Sequence, residues 1–264
     1  MFSYDLVSGH RIIFGDESIF QGLEYHLNAE AIPLSEATRL MFNRCCGLLL
    51  SRELLRKGVL ASEEADFVGR NLAKMQLALG DAVLTAFGQY HWSAIERHRR
   101  LTAFTPNQLP SWLPEVQACH EAGLAFKLLP CRISKSVEEF DLEHRQLTEL
   151  AMHLWLWLEG RRLKQPFDSV SDYALSEVDK CAGTSAWQNY LLSLRTFGPK
   201  AMLEAMSCRY PRGRLFNALA LLLWNAEAAS KPRTLRRLQQ ELQTDASDLG
   251  SLVSVFKRIW PCYG

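Results

Sequence analysis

The sequence predicts a mainly α protein: a helical bundle preceded by a short β hairpin or strand remnant. Three observations carry this. From Ser35 onward apolar residues recur at helical spacing, and proline, glycine and small polar residues fall where such helices would start and stop. The composition, 48% hydrophobic and 22% charged, is that of an ordinary globular chain and excludes disordered and collagen-like classes. Only the first fifteen residues break the helical period.

Those residues hold Phe2-Ser3-Tyr4-Asp5-Leu6-Val7 and Arg11-Ile12-Ile13-Phe14 around the turn signal Ser8-Gly9-His10, a pattern expected of two short strands. Two strands alone are marginally stable, so the pattern implies a missing sheet or a second chain to pair with. Pro33 and Ser35 open the first helix, whose apolar positions Leu40, Met41, Cys45, Leu48, Leu49 and Leu55 run to about Lys57, where Gly58 stops it. Ser62 is expected to cap the second helix, with Glu63 and Glu64 in its first turn, and Gly88 to end it. Small residues at 73, 78, 80, 82 and 86 let another helix approach closely. A third helix spans 92–104, with Glu96, Arg97, His98, Arg99 and Arg100 on its exposed face.

The segment 105–114 holds three prolines and reads as a boundary or long loop. Helices follow at 114–129, 136–162, 170–181, 185–197, 212–229 and 232–260, the last broken near Ser247. The domains expected are an arm at 1–15, a helical subdomain at 16–104 and a second at 115–264, or one continuous α domain over 16–264.

At 264 residues the chain buries enough surface to fold without metal or disulfide. Its seven cysteines, an odd set with no Cys-x-x-Cys pair, read as reduced, buried thiols of a cytoplasmic protein. The longest apolar run, Leu215 to Trp224, is half a membrane span, so no membrane partner is expected. Net charge is +1, but residues 199–264 carry ten Lys or Arg against five Asp or Glu, making this end electropositive. It lacks the aromatic interleaving of single-strand binders, so a nucleic-acid partner is not expected.

Metal-ligand spacings, a serine nucleophile elbow, a phosphate-binding Gly-rich loop and a dinucleotide fingerprint are all absent from the sequence. Arg145 and His153, with seven residues between them, point to different helix faces and do not form a metal-free ribonuclease pair. What remains is a polar group set into apolar helices: Asn43-Arg44, Lys74, Asp81, Tyr90 and Arg97. A buried ion pair here would fix helix register; alternatively Arg44, Lys74 and Arg97 would meet a phosphate in a cleft. Lys74 and Asp81 are expected to share one network between the first two long helices. A second group, Arg209-Tyr210-Pro211-Arg212-Gly213-Arg214, sits at a helix start, where exposed N–H groups and the guanidinium groups of Arg209, Arg212 and Arg214 could hold an anion or serve as a solvated cap.

The runs Leu40 to Leu49, Lys74 to Ala82 with Tyr90, Asn189 to Gly198 and Tyr210-Pro211-Arg212 together resemble the helical C-terminal region of bacterial nucleotidyltransferase-like proteins of the DNA polymerase β superfamily. The opening Tyr4 to Val7 and Ile12 to Gly15 are similar to the strand and arm leading out of their catalytic sheet. The resemblance implies Mg²⁺ and a nucleoside triphosphate as cofactor and substrate of a catalytic half. That half needs a Gly-Ser on a helix and an Asp-x-Asp pair for two metals. This chain has neither: no Asp-x-Asp accompanies Gly250-Ser251, and Asp5 is a single carboxylate. The expectation is therefore a non-catalytic, substrate-side or partner-side module that works with a separate nucleotidyltransferase domain or self-associates through its N-terminal strands. An enzyme acting on a phosphate-bearing substrate and an interaction scaffold stay open as alternatives.

Overall fold

The computed structural model describes residues 1–16, 18–105, 110–199, 208–226 and 231–263. All regular structure among them is helical: α1 (Phe2–Gly9), α2 (Leu34–Leu55), α3 (Ser62–Ala86), α4 (Ala94–Thr102), α5 (Leu113–Leu128), α6 (Val137–Leu163), α7 (Val170–Leu175), α8 (Ala186–Phe197), α9 (Pro211–Trp224), α10 (Pro232–Leu242) and α11 (Leu249–Ile259), with short 3₁₀ turns. The chain divides into two compact units, Met1–Leu158 and Glu159–Gly264.

No strand occurs among the described residues, so the expected β remnant is corrected: residues 2–9 form α1. Tyr4 and Val7, three apart, are its buried positions, which is a helical spacing. Tyr4 packs with Ile32 and Tyr90, its ring edge-on to that of Tyr90 at 5.8 Å. With no sheet to join, β-branched content alone does not hold a strand, whereas one helical face can bury its aromatic ring. Residues 11–14 are exposed and carry no regular structure.

In the first unit α2 packs along α3, α3 along α5, and α4 touches both α3 and α5. The small residues of α3 serve this packing as expected. Opposite them, a Cβ on Gly123 of α5 would stand 2.6 Å from the Leu77 nitrogen and 3.0 Å from the Ala73 oxygen, so the two backbones lie as close as glycine allows. Gly58 and Gly88, with φ of +73° and +66°, stop α2 and α3 in the left-handed conformation that favours glycine. Ser62 is the first residue of α3 and not its cap; the Glu64 carboxylate accepts the Ala61 N–H at 3.0 Å. The proline-rich segment, of which 106–109 lie outside the described residues, falls within this unit.

In the second unit α9 is the central element, buried at every position from Gly213 to Leu223 and packed by α7, α8, α10 and α11. A helix apolar all round belongs in a core, which accounts for the long run at 215–224. The end of the expected 212–229 helix, from 227, lies outside the described residues. α7 stops at Leu175, six residues short of expectation, because Ser176 turns into extended backbone. The expected break near Ser247 is present: Gln243 adopts a left-handed conformation after α10, and Asp248 caps α11 by accepting the Ser251 N–H at 2.8 Å. No described helix is long and apolar enough to cross a membrane. The described cysteines are free; Cys45 and Cys46 are buried, but Cys131, Cys208 and Cys262 are exposed, against the expectation that all are interior.

Candidate functional site

The first polar group converges, with a different membership. Asp81 pairs with Arg97, whose Nε lies 2.7 Å from its Oδ1, and both are buried. Lys74 is exposed, so the expected Lys74–Asp81 network is corrected: seven residues place them two turns apart along α3, and Asp81 turns inward to the cation of α4. Arg97, assigned from sequence to an exposed face, points inward. Its Nη1 donates to the Tyr90 hydroxyl at 2.8 Å and to the carbonyls of His91 and Trp92 at 3.0 and 3.4 Å. The Tyr90 hydroxyl then donates to Asp5 Oδ2 at 3.0 Å. Arg44 is half-buried on α2; burial pulls its pKa down and the Asp81 charge opposes this.

Three members were not legible as such in the sequence. His120 Nε2 donates to Asp81 Oδ1 at 3.3 Å, which leaves its Nδ1 to accept from Nδ1 of His98 at 3.2 Å, the two rings stacked at 2°. Gly80 makes room for this, since a Cβ there would collide with the His120 ring and with Leu101. Asp5, noted from sequence only as a single carboxylate unable to hold two metals, closes the other end. Burial lifts its carboxyl above the ordinary range, against the pull of the Tyr90 hydroxyl and the Arg97 charge. The result is a hydrogen-bonded chain from His98 through His120, Asp81, Arg97 and Tyr90 to Asp5, drawing on α1, α3, α4 and α5. Its centre is enclosed, so its chemistry is that of a tie between helices. Among the described residues no cluster of three or more His, Cys, Asp or Glu is arranged to hold a metal ion.

In the second unit the arginines expected to hold an anion are turned to the protein itself. Arg209 Nη2 reaches the Glu177 carboxylate at 3.0 Å and its carbonyl at 2.8 Å. Arg212 donates to the Tyr263 carbonyl at 2.7 Å and lies over the Tyr210 ring. Arg214 is buried, donating to the carbonyls of Glu241 and Gln240 with its guanidinium 4.1 Å from the Phe197 ring centroid. They splice the start of α9 to its neighbours.

Around them lie two buried carboxylates. Glu159 takes a two-pronged pair from Arg162 at 2.6 and 2.7 Å and the Tyr173 hydroxyl at 2.8 Å. Glu241 faces Arg237 Nε at 2.8 Å and accepts from Asn217 at 2.6 Å; burial raises its pKa against these partners. Lys180 is buried over the Tyr173 ring and donates to Ser176 Oγ at 2.8 Å. Burial, opposed by the Glu241 charge, lowers its pKa from 10.5 to about 8. The native state therefore binds fewer protons than the unfolded chain between pH 8 and 10.5, and its stability through this group rises with pH across that window. Urea midpoints of the wild type are expected to rise from pH 8 to pH 10 relative to those of Lys180→Met; parallel profiles would show that Lys180 titrates normally.

A cleft of about 430 Å³ in this unit is lined by Leu175, Glu177, Pro232, Arg233, Arg236, Arg237 and Gln240. In the first unit a groove of about 470 Å³ runs beside Met1, Phe2, Tyr25, His26, Ile32 and Arg39. Comparison with known proteins finds no matching family, no similar curated protein and no similar solved structure.

Proposed function

We propose that the chain is a non-catalytic, partner-side helical module that docks a protein through the apolar surface of its first 27 residues. The observation that carries this reading is the placement of large apolar side chains at that surface: Phe2, Leu6, Ile13, Phe14, Ile19 and Tyr25 are all exposed, Ile13 by 93% and Phe14 by 99%. Single exposed apolar residues need no explanation, but a run of them within one segment, flanked by the groove at Phe2 and Tyr25, marks an interaction site. The partner suggested by the sequence resemblance is a nucleotidyltransferase catalytic domain, and Mg²⁺ and a nucleoside triphosphate would come with that domain. A reducing, cytoplasmic setting fits the free cysteines.

Two measurements test this reading. Incubated with each of the four nucleoside triphosphates and Mg²⁺ or Mn²⁺, the isolated chain is expected to release no pyrophosphate above a heat-treated control. Release abolished by Asp5→Asn would overturn the non-catalytic reading. With no partner present the apolar surface is expected to turn to a second copy, giving concentration-dependent sedimentation that is lost in the Ile13→Asp, Phe14→Asp double variant. The double variant should keep the wild-type denaturation midpoint, since both side chains are exposed. A wild-type chain that stays monomeric throughout would show that this surface does not drive association.

A further inference from the structure

The 430 Å³ cleft of the second unit carries an inference independent of the docking surface. Its long wall is α10, where Arg233, Arg236 and Arg237 stand at i, i+3 and i+4 and so share one helix face, with Gln240 one turn further. Leu175, Glu177 and Pro232 complete the lining. Arg237 is nearly buried and fixed by Glu241 at 2.8 Å and Glu177 at 3.4 Å, yet its Nη2 is buried with no hydrogen-bond partner. Arg233 and Arg236 are exposed and enter no ion pair among the described residues.

Folding does not explain this arrangement. Arg209, Arg212 and Arg214 each satisfy a carbonyl or carboxylate of the protein, whereas Arg233 and Arg236 meet no such partner among the described residues and line a concavity. Arg237 shares Glu177 and Glu241 with its neighbours, so the charges of Arg233 and Arg236 are added beside it with no ion-pair partner among the described residues. The planar donor forks of two unpaired arginines match the oxygens of a phosphoryl group. The volume exceeds what inorganic phosphate fills and lies in the range of small-molecule sites. We infer that this cleft binds the phosphoryl group of a small organic phosphate monoester, held by Arg233 and Arg236, with Arg237 as the fixed base of the site.

Titration calorimetry on the full chain with inorganic phosphate, AMP and glucose 6-phosphate, at constant ionic strength set with chloride, tests this. At least one ester is expected to bind more tightly than inorganic phosphate. Arg233→Gln and Arg236→Gln should each weaken it at least tenfold, while Lys257→Gln on α11 leaves it unchanged. Because both arginines are exposed and unpaired, the variants should keep the wild-type denaturation midpoint, so lost binding cannot be assigned to unfolding. No heat with any of the three compounds up to about 10 mM, a range that reaches affinities weaker than 1 mM, would overturn the inference. Equal loss in Lys257→Gln would do the same by reducing it to bulk electrostatics. The sedimentation behaviour of the apolar surface is unaffected by either result.

Discussion

Asp81→Ala is expected to destabilise the protein by about 3 to 5 kcal/mol, the cost of leaving a buried cation without its carboxylate. Asp81 is the junction of the polar chain: it neutralises Arg97 at 2.7 Å and accepts from His120. Its loss leaves the buried Arg97 guanidinium without a counter-charge, with only the Tyr90 hydroxyl and two carbonyls to accept from it, and leaves the His120 Nε2–H without its acceptor; such groups cost more than the bond itself contributes. Lys74→Ala, on the same helix but exposed, is expected to change the urea midpoint by no more than about 0.5 kcal/mol. The contrast matters more than either value: comparable shifts in the two variants would show that Asp81 is not paired inside. Replacing both partners, as Asp81→Leu with Arg97→Met, is expected to recover part of the loss, because apolar residues of similar size remove the desolvation cost along with the attraction.

Gly123→Val is expected to cost about 3 kcal/mol or more, at the upper end of overpacking effects. The obstacle is backbone: a Cβ at Gly123 meets the nitrogen and Cα of Leu77 and the oxygen of Ala73, and none of these can rotate away as a side chain would. The only relief is to separate α5 from α3, which loosens the His120–Asp81 bond at the same time, so lost stability should be accompanied by altered His120 ring resonances. Gly213→Ala in α9 is the control. Its Cβ meets nothing closer than 3.7 Å, so helix propensity alone acts and should stabilise by up to about 1 kcal/mol. If Gly123→Ala stabilised by the same amount, the close approach of α3 and α5 would be wrong.

Sequence alone determined the helical class and the limits of most helices, because local rules set them. Apolar spacing fixes which face turns inward, and Gly58 and Gly88 act on the adjacent turn. It also singled out Asp81, Tyr90 and Arg97 as polar residues needing an explanation, and the small-residue face of α3 as a place of close approach. Tertiary structure alone decided the rest. Phe2 to Val7 satisfies both a strand and a helix pattern over so few residues, and the choice fell to whether a sheet or the Tyr90 ring was there to cover Tyr4. Asp81 had Lys74 as its neighbour along the helix but Arg97 as its neighbour in space, and a buried charge takes the partner that lies inside with it. Likewise, Arg209, Arg212 and Arg214 looked available because a sequence shows charges but not the carbonyls that consume them. Arg233 and Arg236 became distinctive only when the fold placed them along a cleft with no ion-pair partner among the described residues.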